Sequence, residues 1–231
     1  MQEAFERSQL LIDVNKLKTK TVAIFGLGGV GGYVVEGLVR SGVSSFLLID
    51  FDTISLTNLN RQILATHSTI HKKKVEVQKN RILDIQPAAK VITYDLKVDK
   101  TTINQIDFQN VDFIVDAIDM VTSKILLIET AKNNNIPIIS CMGTGNKLNP
   151  FLFEICDISK TSICPLARVM RYELKKRNIK NVPVLYSKEE NVTKDIITNE
   201  EEKRHIPGSV SFVPSVAGLL LSSYVIKELL K

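Results

Sequence analysis

The chain has no tryptophan, and only three cysteines and three histidines among its 231 residues. Cys141, Cys156 and Cys164 are odd in number and lack Cys-x-x-Cys spacing. That excludes a tetrahedral zinc site built from this chain's thiolates and points to a reducing compartment. His67, His71 and His205 have no metal-ligand spacing and are expected on surface loops or helix starts. No basic-apolar-small signal pattern opens the chain, since Met1-Gln2-Glu3-Ala4-Phe5-Glu6-Arg7 is charged from the start. Long apolar runs are missing too. The longest near the end, Val213 to Ile226, is interrupted by Pro214, Ser215, Gly218, Ser222, Ser223 and Tyr224. It falls short of the ~20 residues a bilayer span requires, so a buried amphipathic helix is expected and no membrane association. Acid is scarce in one stretch: from Lys160 to Lys188, Glu173 alone stands against Lys160, Arg168, Arg171, Lys175, Lys176, Arg177, Lys180 and Lys188. There is no internal repeat and no low-complexity tract.

What is present is enough apolar residue for a proper core, 44% of the chain, with a modest net charge of +5. Strand and helix patterns alternate. Strands are expected at Thr21 to Phe25, Ser45 to Asp50, Lys90 to Asp95, Phe113 to Asp116 and Pro137 to Cys141, and helices at Gly31 to Ser41, His71 to Ile85 and Thr122 to Asn134. Such alternation implies an α/β fold: a doubly wound, Rossmann-like, mostly parallel sheet covered on both faces. After Asn149-Pro150 the pattern gives strands at Phe151 to Asp157 and Val182 to Tyr186 and a basic helix at Pro165 to Lys176. Residues 188–205, rich in Glu, Asn, Thr and Lys, read as a mobile surface loop. Val210 to Val213 is expected extended, followed by a terminal helix whose buried stripe is Val216, Leu219, Leu220, Ile226 and Leu230. The whole chain, 1–231, reads as a single domain, with 151–231 an extension of the sheet whose strands and helix complete it.

The first expected strand runs into Gly26-Leu27-Gly28-Gly29-Val30-Gly31 and then a helix. In that context glycines let the backbone approach phosphates, which the helix N-terminus and its exposed N–H groups attract. Asp50 closes the next strand and is placed to accept a ribose hydroxyl. These features suit a nicotinamide-dependent dehydrogenase as well as an ATP enzyme. Ligands of doubly wound folds sit beyond the carboxyl ends of the strands, so Gly26, Asp50, Asp116 to Asp119 and Gly143 to Lys147 should share one crevice. Transfer of an adenylyl group needs cations around the departing pyrophosphate. Arg61, able to grip phosphate in a bidentate fork, and Lys74 are candidates, and Asp119 could hold the magnesium ion that neutralises a triphosphate.

The run Asp50-Phe51-Asp52-Thr53-Ile54-Ser55-Leu56-Thr57-Asn58-Leu59-Asn60-Arg61-Gln62, with the glycines before it and Lys74-Val75-Glu76 after it, resembles the ubiquitin-activating-type adenylating superfamily, which includes enzymes that adenylate sulfur-carrier proteins. The resemblance covers nearly the whole chain. It implies that Gly26, Gly28, Gly29 and Gly31 form the phosphate loop, that Asp50 binds ribose with Asp52 beside it, and that Asn58 and Arg61 contact phosphates. It further implies that Lys74 contacts phosphate or the adenylate, that Asp119 serves Mg2+, and that Arg7 reaches into a partner subunit's site, hence a homodimer. One departure is Met120, where many relatives place Asn after the magnesium Asp.

Within that superfamily the chain lacks the paired Cys-x-x-Cys motifs common among sulfur-carrier activators. Ser140 to Pro150, Asp157 to Arg168 and Pro207 to Leu219 instead resemble the tRNA threonylcarbamoyladenosine dehydratase family. The resemblance implies ATP-dependent cyclisation of threonylcarbamoyladenosine at position 37 of tRNA in the cytoplasm, through adenylation of its carboxylate. Adenylation of a sulfur carrier's C-terminus is the alternative, and sulfur-relay partners stay open. On this reading Arg168, Arg171, Lys175, Lys176 and Arg177 become tRNA contacts. Lys147 and Lys160 could approach the substrate or be surface residues, and Cys164 is expected to be buried and not a nucleophile.

Overall fold

The computed structural model describes residues 3–191, 196–197 and 205–231. The order is α1 (Glu6–Gln9), α2 (Val14–Lys18), β1 (Thr21–Phe25), α3 (Gly31–Arg40), β2 (Ser45–Ile49), α4 (Lys74–Ile85), β3 (Lys90–Tyr94), β4 (Phe113–Asp116), α5 (Val121–Asn133), β5 (Ile138–Cys141), β6 (Phe153–Asp157), α6 (Pro165–Lys176), β7 (Pro183–Ser187), β8 (Ile196–Ile197), β9 (His205–Ile206) and α7 (Phe212–Leu229). Seven strands make one sheet in the order β3-β2-β1-β4-β5-β7-β6. All neighbours are parallel except β6, which pairs antiparallel with β7 through Ile155↔Leu185. The expected doubly wound α/β sheet is the one observed.

The central strands are short apolar runs because both of their faces are covered. Along β1, Val22 and Ile24 join the core under α3, α4 and α7, whereas Ala23 and Phe25 join the core under α5 and α6. Chain order reverses between β1 and β4, which pair through Phe25↔Asp116. At that switch the loops leaving the two strand ends diverge and open a crevice.

Several element edges differ from expectation. The helix expected from His71 begins at Lys74, because His71 takes φ 67° and Lys73 bridges Thr53. Val210 to Val213 is not an extended segment: α7 starts at Phe212, and Val213 is buried in its first turn. The buried stripe of α7 is also rotated, to Val213, Ala217, Leu221 and Val225, leaving Leu219 and Leu220 exposed. Small residues decide this. A Cβ on Gly218 would lie 2.5 Å from the Val30 carbonyl oxygen, and one on Gly37 would lie 2.2 Å from Ser222 Oγ, so α7 and α3 approach at backbone distance. Leucines could not occupy that seam. Among the described residues α7 is also the only helix long and apolar enough to cross a membrane, yet its inner face is packed inside the fold. Much of 188–205 lies outside the described residues; within it, Ile196–Ile197 pair antiparallel with His205–Ile206, where a strandless loop was expected.

Candidate adenylating site

The crevice at the switch point measures about 640 Å³. It gathers Gly26, Gly28, Gly29, Asp50, Asp52, Asn58, Arg61, Lys74 and Asp119, all expected there, together with Gly143, Thr144 and Gly145. The glycines have distinct jobs. Gly26 sits at φ +88°, and a Cβ on it would meet the Ala117 carbonyl oxygen at 2.7 Å. Gly31 does not line the crevice; a Cβ there would fall 1.8 Å from the Gly26 carbonyl oxygen, so its absence lets α3 dock under the loop. The loop thereby brings Gly28, Gly29 and Val30, just ahead of α3, to the crevice wall, while the Gly32 and Tyr33 N–H groups donate to the Gly28 and Val30 carbonyls.

Asp50 is fixed before any ligand arrives. Its Oδ2 accepts from the Leu27 N–H at 2.6 Å and its Oδ1 from the Asp52 N–H at 2.8 Å. Burial pushes its carboxyl above the ordinary Asp value, against the opposing pull of Lys74 and the two N–H donors. Lys74, buried in the first turn of α4, donates to Asp52 Oδ2 at 2.6 Å. Asn58 accepts from the Ser55 N–H at 3.1 Å, capping the short helical turn Leu56–Asn58 that leads to Arg61. Arg61 donates to the Thr57 carbonyl at 2.9 Å and to Asn60 Oδ1 at 2.8 Å, while Asn60 Nδ2 donates to the Ser209 carbonyl at 3.0 Å. The guanidinium is therefore held at the crevice by its own loop, and that loop is tied to the segment before α7.

Asp119 is exposed at the opposite wall, in the loop from β4 to α5. Beneath it lies a fully buried network. Lys124 Nζ donates to Asp116 Oδ2 at 3.0 Å, to the Cys141 carbonyl at 2.7 Å and to Ser140 Oγ at 3.2 Å. Ser140 Oγ donates to Asp116 Oδ2 at 2.5 Å, and Asp116 Oδ1 accepts from the Ile118 N–H at 3.1 Å. One ammonium thus pins the ends of β4 and β5 and the turn that carries Asp119.

Other expectations fare differently. Of the stretch Gly143 to Lys147, Asn146 and Lys147 stay out of the crevice: Asn146 Oδ1 accepts from the Gly208 N–H at 2.6 Å, and Lys147 is buried and donates to the Glu189 carbonyl. Lys147 is therefore not a free substrate contact. Lys160 is exposed and does not line the crevice. Arg7, exposed on α1, does not line it either. His205 belongs to β9 instead of a loop or helix start. Cys164 is buried as expected, and Cys141, at the crevice floor, has its thiol pushed up to about 12 by burial. Of the five expected cations, four lie on α6 and Arg177 caps its C-terminus, and two are engaged: Arg171 donates to the Thr161 carbonyl at 2.7 Å, and Arg177 pairs with Glu173 and Glu129. Arg168, Lys175 and Lys176 are exposed.

The crevice has further walls the sequence did not single out: Gln62, Leu166, Pro207, Ser209 and Pro214. Gln62 Oε1 is buried without a hydrogen-bond partner among the described residues. Its place directly after Arg61 was the available signal. The other four lie in segments that carry the family resemblance, Asp157 to Arg168 and Pro207 to Leu219, but it is tertiary packing that brings them to the crevice.

A family model described as the ThiF family matches residues 5–231. A tRNA threonylcarbamoyladenosine dehydratase of Bacillus subtilis is 41% identical over 244 residues, covering 100% of this chain and 96% of that protein. The Escherichia coli protein of that name is 35% identical over 154 residues, covering 67% of this chain and 58% of that one. A solved E. coli tRNA N6-threonylcarbamoyladenosine dehydratase in complex with ATP superposes with a TM-score of 0.88 at 28% identity, covering 99% of this chain and 94% of that chain. A molybdopterin-synthase adenylyltransferase of Haemophilus influenzae is 34% identical over a stretch covering 54% of this chain and 51% of that protein. With these walls, this fold and these relatives, the chain belongs to the ThiF family and, within it, to the tRNA threonylcarbamoyladenosine dehydratases.

Proposed function

We propose that this chain uses ATP to adenylate the carboxylate of threonylcarbamoyladenosine at position 37 of tRNA and then closes the ring, a net loss of one water. A carboxylate oxygen attacks the α-phosphorus and pyrophosphate leaves; the carbamoyl oxygen then attacks the activated carbonyl and AMP leaves. The observation that carries this reading is one crevice lined by Gly28, Gly29, Asp50, Asn58, Arg61 and Lys74, whose one thiol, on Cys141, is too basic to ionise at neutral pH. An intramolecular nucleophile needs no such thiol, because effective molarity supplies what a protein group otherwise would.

The residues act by position and charge. Asp50 takes the ribose hydroxyls, and the α3 N-terminus with Gly28 and Gly29 receives phosphates. Asn58 and Arg61 meet the leaving pyrophosphate, and Lys74, released from Asp52, meets the α-phosphate and the adenylate. Among the described residues no group of three acidic, His or Cys side chains could cage a metal ion. Mg2+ held by one carboxylate, waters and the nucleotide's own phosphates suits what is there, and Asp119 is that carboxylate. When bound, the ion would neutralise phosphate charge. Arg7 reaches the site of a second copy in a homodimer; the exposed Leu10 and Leu11 just after α1 support an interface there. The enzyme works in the cytoplasm on tRNA, with Arg168, Lys175 and Lys176 as its free phosphate contacts.

Arg61→Ala and Asp119→Ala should each lower turnover of threonylcarbamoyladenosine in tRNA at least a hundredfold while leaving the thermal midpoint within a few degrees. Unchanged turnover in both variants would contradict the assigned roles. Sulfur-carrier adenylation, favoured by the molybdopterin-synthase relative, requires pyrophosphate exchange stimulated by a carrier protein and indifferent to tRNA.

A further inference from the structure

Helix α6 buries Ala167, Met170 and Leu174 and turns the opposite stripe to solvent: Arg168, Val169, Tyr172, Lys175 and Lys176, at helical spacing on one face. Tyr172 is 66% exposed, an unusual position for the largest side chain of a helix, and its hydroxyl and ring have no partner among the described residues. Tyr186, by contrast, is buried in the core. The side chains of Arg168, Lys175 and Lys176 make no hydrogen bond or ion pair among the described residues, and the one acid of the helix, Glu173, is held by Arg177. At the head of the helix Ile163 is exposed in a left-handed conformation, φ +55°, which a β-branched residue adopts only under strain. Leu166, in the first turn, lines the ATP crevice. Tyr172 lies six helical steps further on, about 9 Å along the axis.

We propose that this stripe is a nucleobase platform: an unpaired base of the anticodon loop, a near neighbour of the reacting adenosine, stacks on the Tyr172 ring against Val169. Arg168, Lys175 and Lys176 take the phosphates on either side, and Ile163 keeps the splayed base apart from the one entering the crevice. This rests on the reading of tRNA as substrate. Single-stranded RNA is recognised by aromatic stacking inside a basic groove, whereas duplex RNA is held by its backbone alone, and an aromatic ring ringed by free cations serves the first. The same charges argue against a second copy of this chain as occupant, since two such faces would repel.

The test is fluorescence anisotropy of the full chain with a labelled anticodon stem-loop and with a blunt RNA duplex of equal length, each over a salt series. Base stacking is worth roughly 1–3 kcal/mol, so Tyr172→Ala should weaken stem-loop binding about 5- to 150-fold with the salt slope unchanged and duplex binding unaltered. Tyr172→Trp should retain binding, and the double variant Lys175→Glu, Lys176→Glu should flatten the salt slope for both RNAs. Equal affinity of wild type and Tyr172→Ala for the stem-loop would overturn the platform, as would an equal loss on the duplex. A shift of the Tyr172→Ala sedimentation coefficient to that of a smaller assembly would make the face a contact between copies and overturn it too. Wild-type protein that binds neither RNA would instead overturn the tRNA reading itself.

Discussion

Asp50 shows how a residue's place can be legible in sequence while its surroundings are not. Its place at the end of β2 was legible; the two backbone donors that lock it, from Leu27 and Asp52, were not, because they depend on the loop's final path. Burial raises its carboxyl above the ordinary Asp value, with Lys74 and those donors pulling the other way. A raised carboxyl loses its charge at higher pH than an exposed one, so the proposed ribose contact fails early on acidification. ATP affinity measured by calorimetry should therefore fall as pH drops through Asp50's raised pKa, above the ordinary Asp value of 3.8, and Asp50→Asn should lack that phase. An identical acid profile in wild type and variant would contradict this. Cysteine belongs to the same scale. With Cys141 and Cys164 buried and Cys156 raised by burial, no thiol is poised as a nucleophile, and Cys156→Ser and Cys164→Ala should each keep turnover within about threefold of wild type. Loss of acyl transfer in either would assign a covalent step.

At the scale of elements, the glycine loop, Asp50, Lys74 and Asp119 were legible because each sits next to a strand end or helix start, whereas Asn58 and Arg61, in the loop between β2 and α4, were legible only from the motif they share with the superfamily. The contacts that join elements were not legible. The Lys124 network joins α5 to the ends of β4 and β5, and neither a lysine in a helix nor an aspartate in a strand announces such a pairing. Both partners are wholly buried, so removing one leaves the other charged and unpaired. Lys124→Met should cost about 3–5 kcal/mol of unfolding free energy in urea, and the double variant Lys124→Met, Asp116→Leu should recover a large part of it. Additive losses in the double variant would mean the pair is not coupled. The terminal helix failed differently. Its leucines suggested a stripe, but the glycine and serine seam against α3 overrode hydrophobicity, since only small side chains allow backbones so close.

For the whole molecule, parallel strands buried on both faces fix where ligands go, and the order β3-β2-β1-β4-β5 places the crevice where the loops leaving β1 and β4 part. The C-terminal part then shapes it: Leu166 from α6, Pro207 and Ser209 ahead of α7 and Pro214 within it close a wall that a bare nucleotide-binding unit would lack. Arg7 lies outside that wall. On the proposed reading the crevice holds ATP and also admits a modified adenosine from a tRNA loop, and Leu166 in the first turn of α6 lines it. The most direct measurement is mass spectrometry of nucleosides from tRNA bearing threonylcarbamoyladenosine, after incubation with this chain, ATP and magnesium. The mass of the modified nucleoside should fall by one water, in step with release of AMP and pyrophosphate and only when ATP is present. An unchanged nucleoside, with ATP consumed only when a sulfur-carrier protein is added, would contradict the proposed reaction.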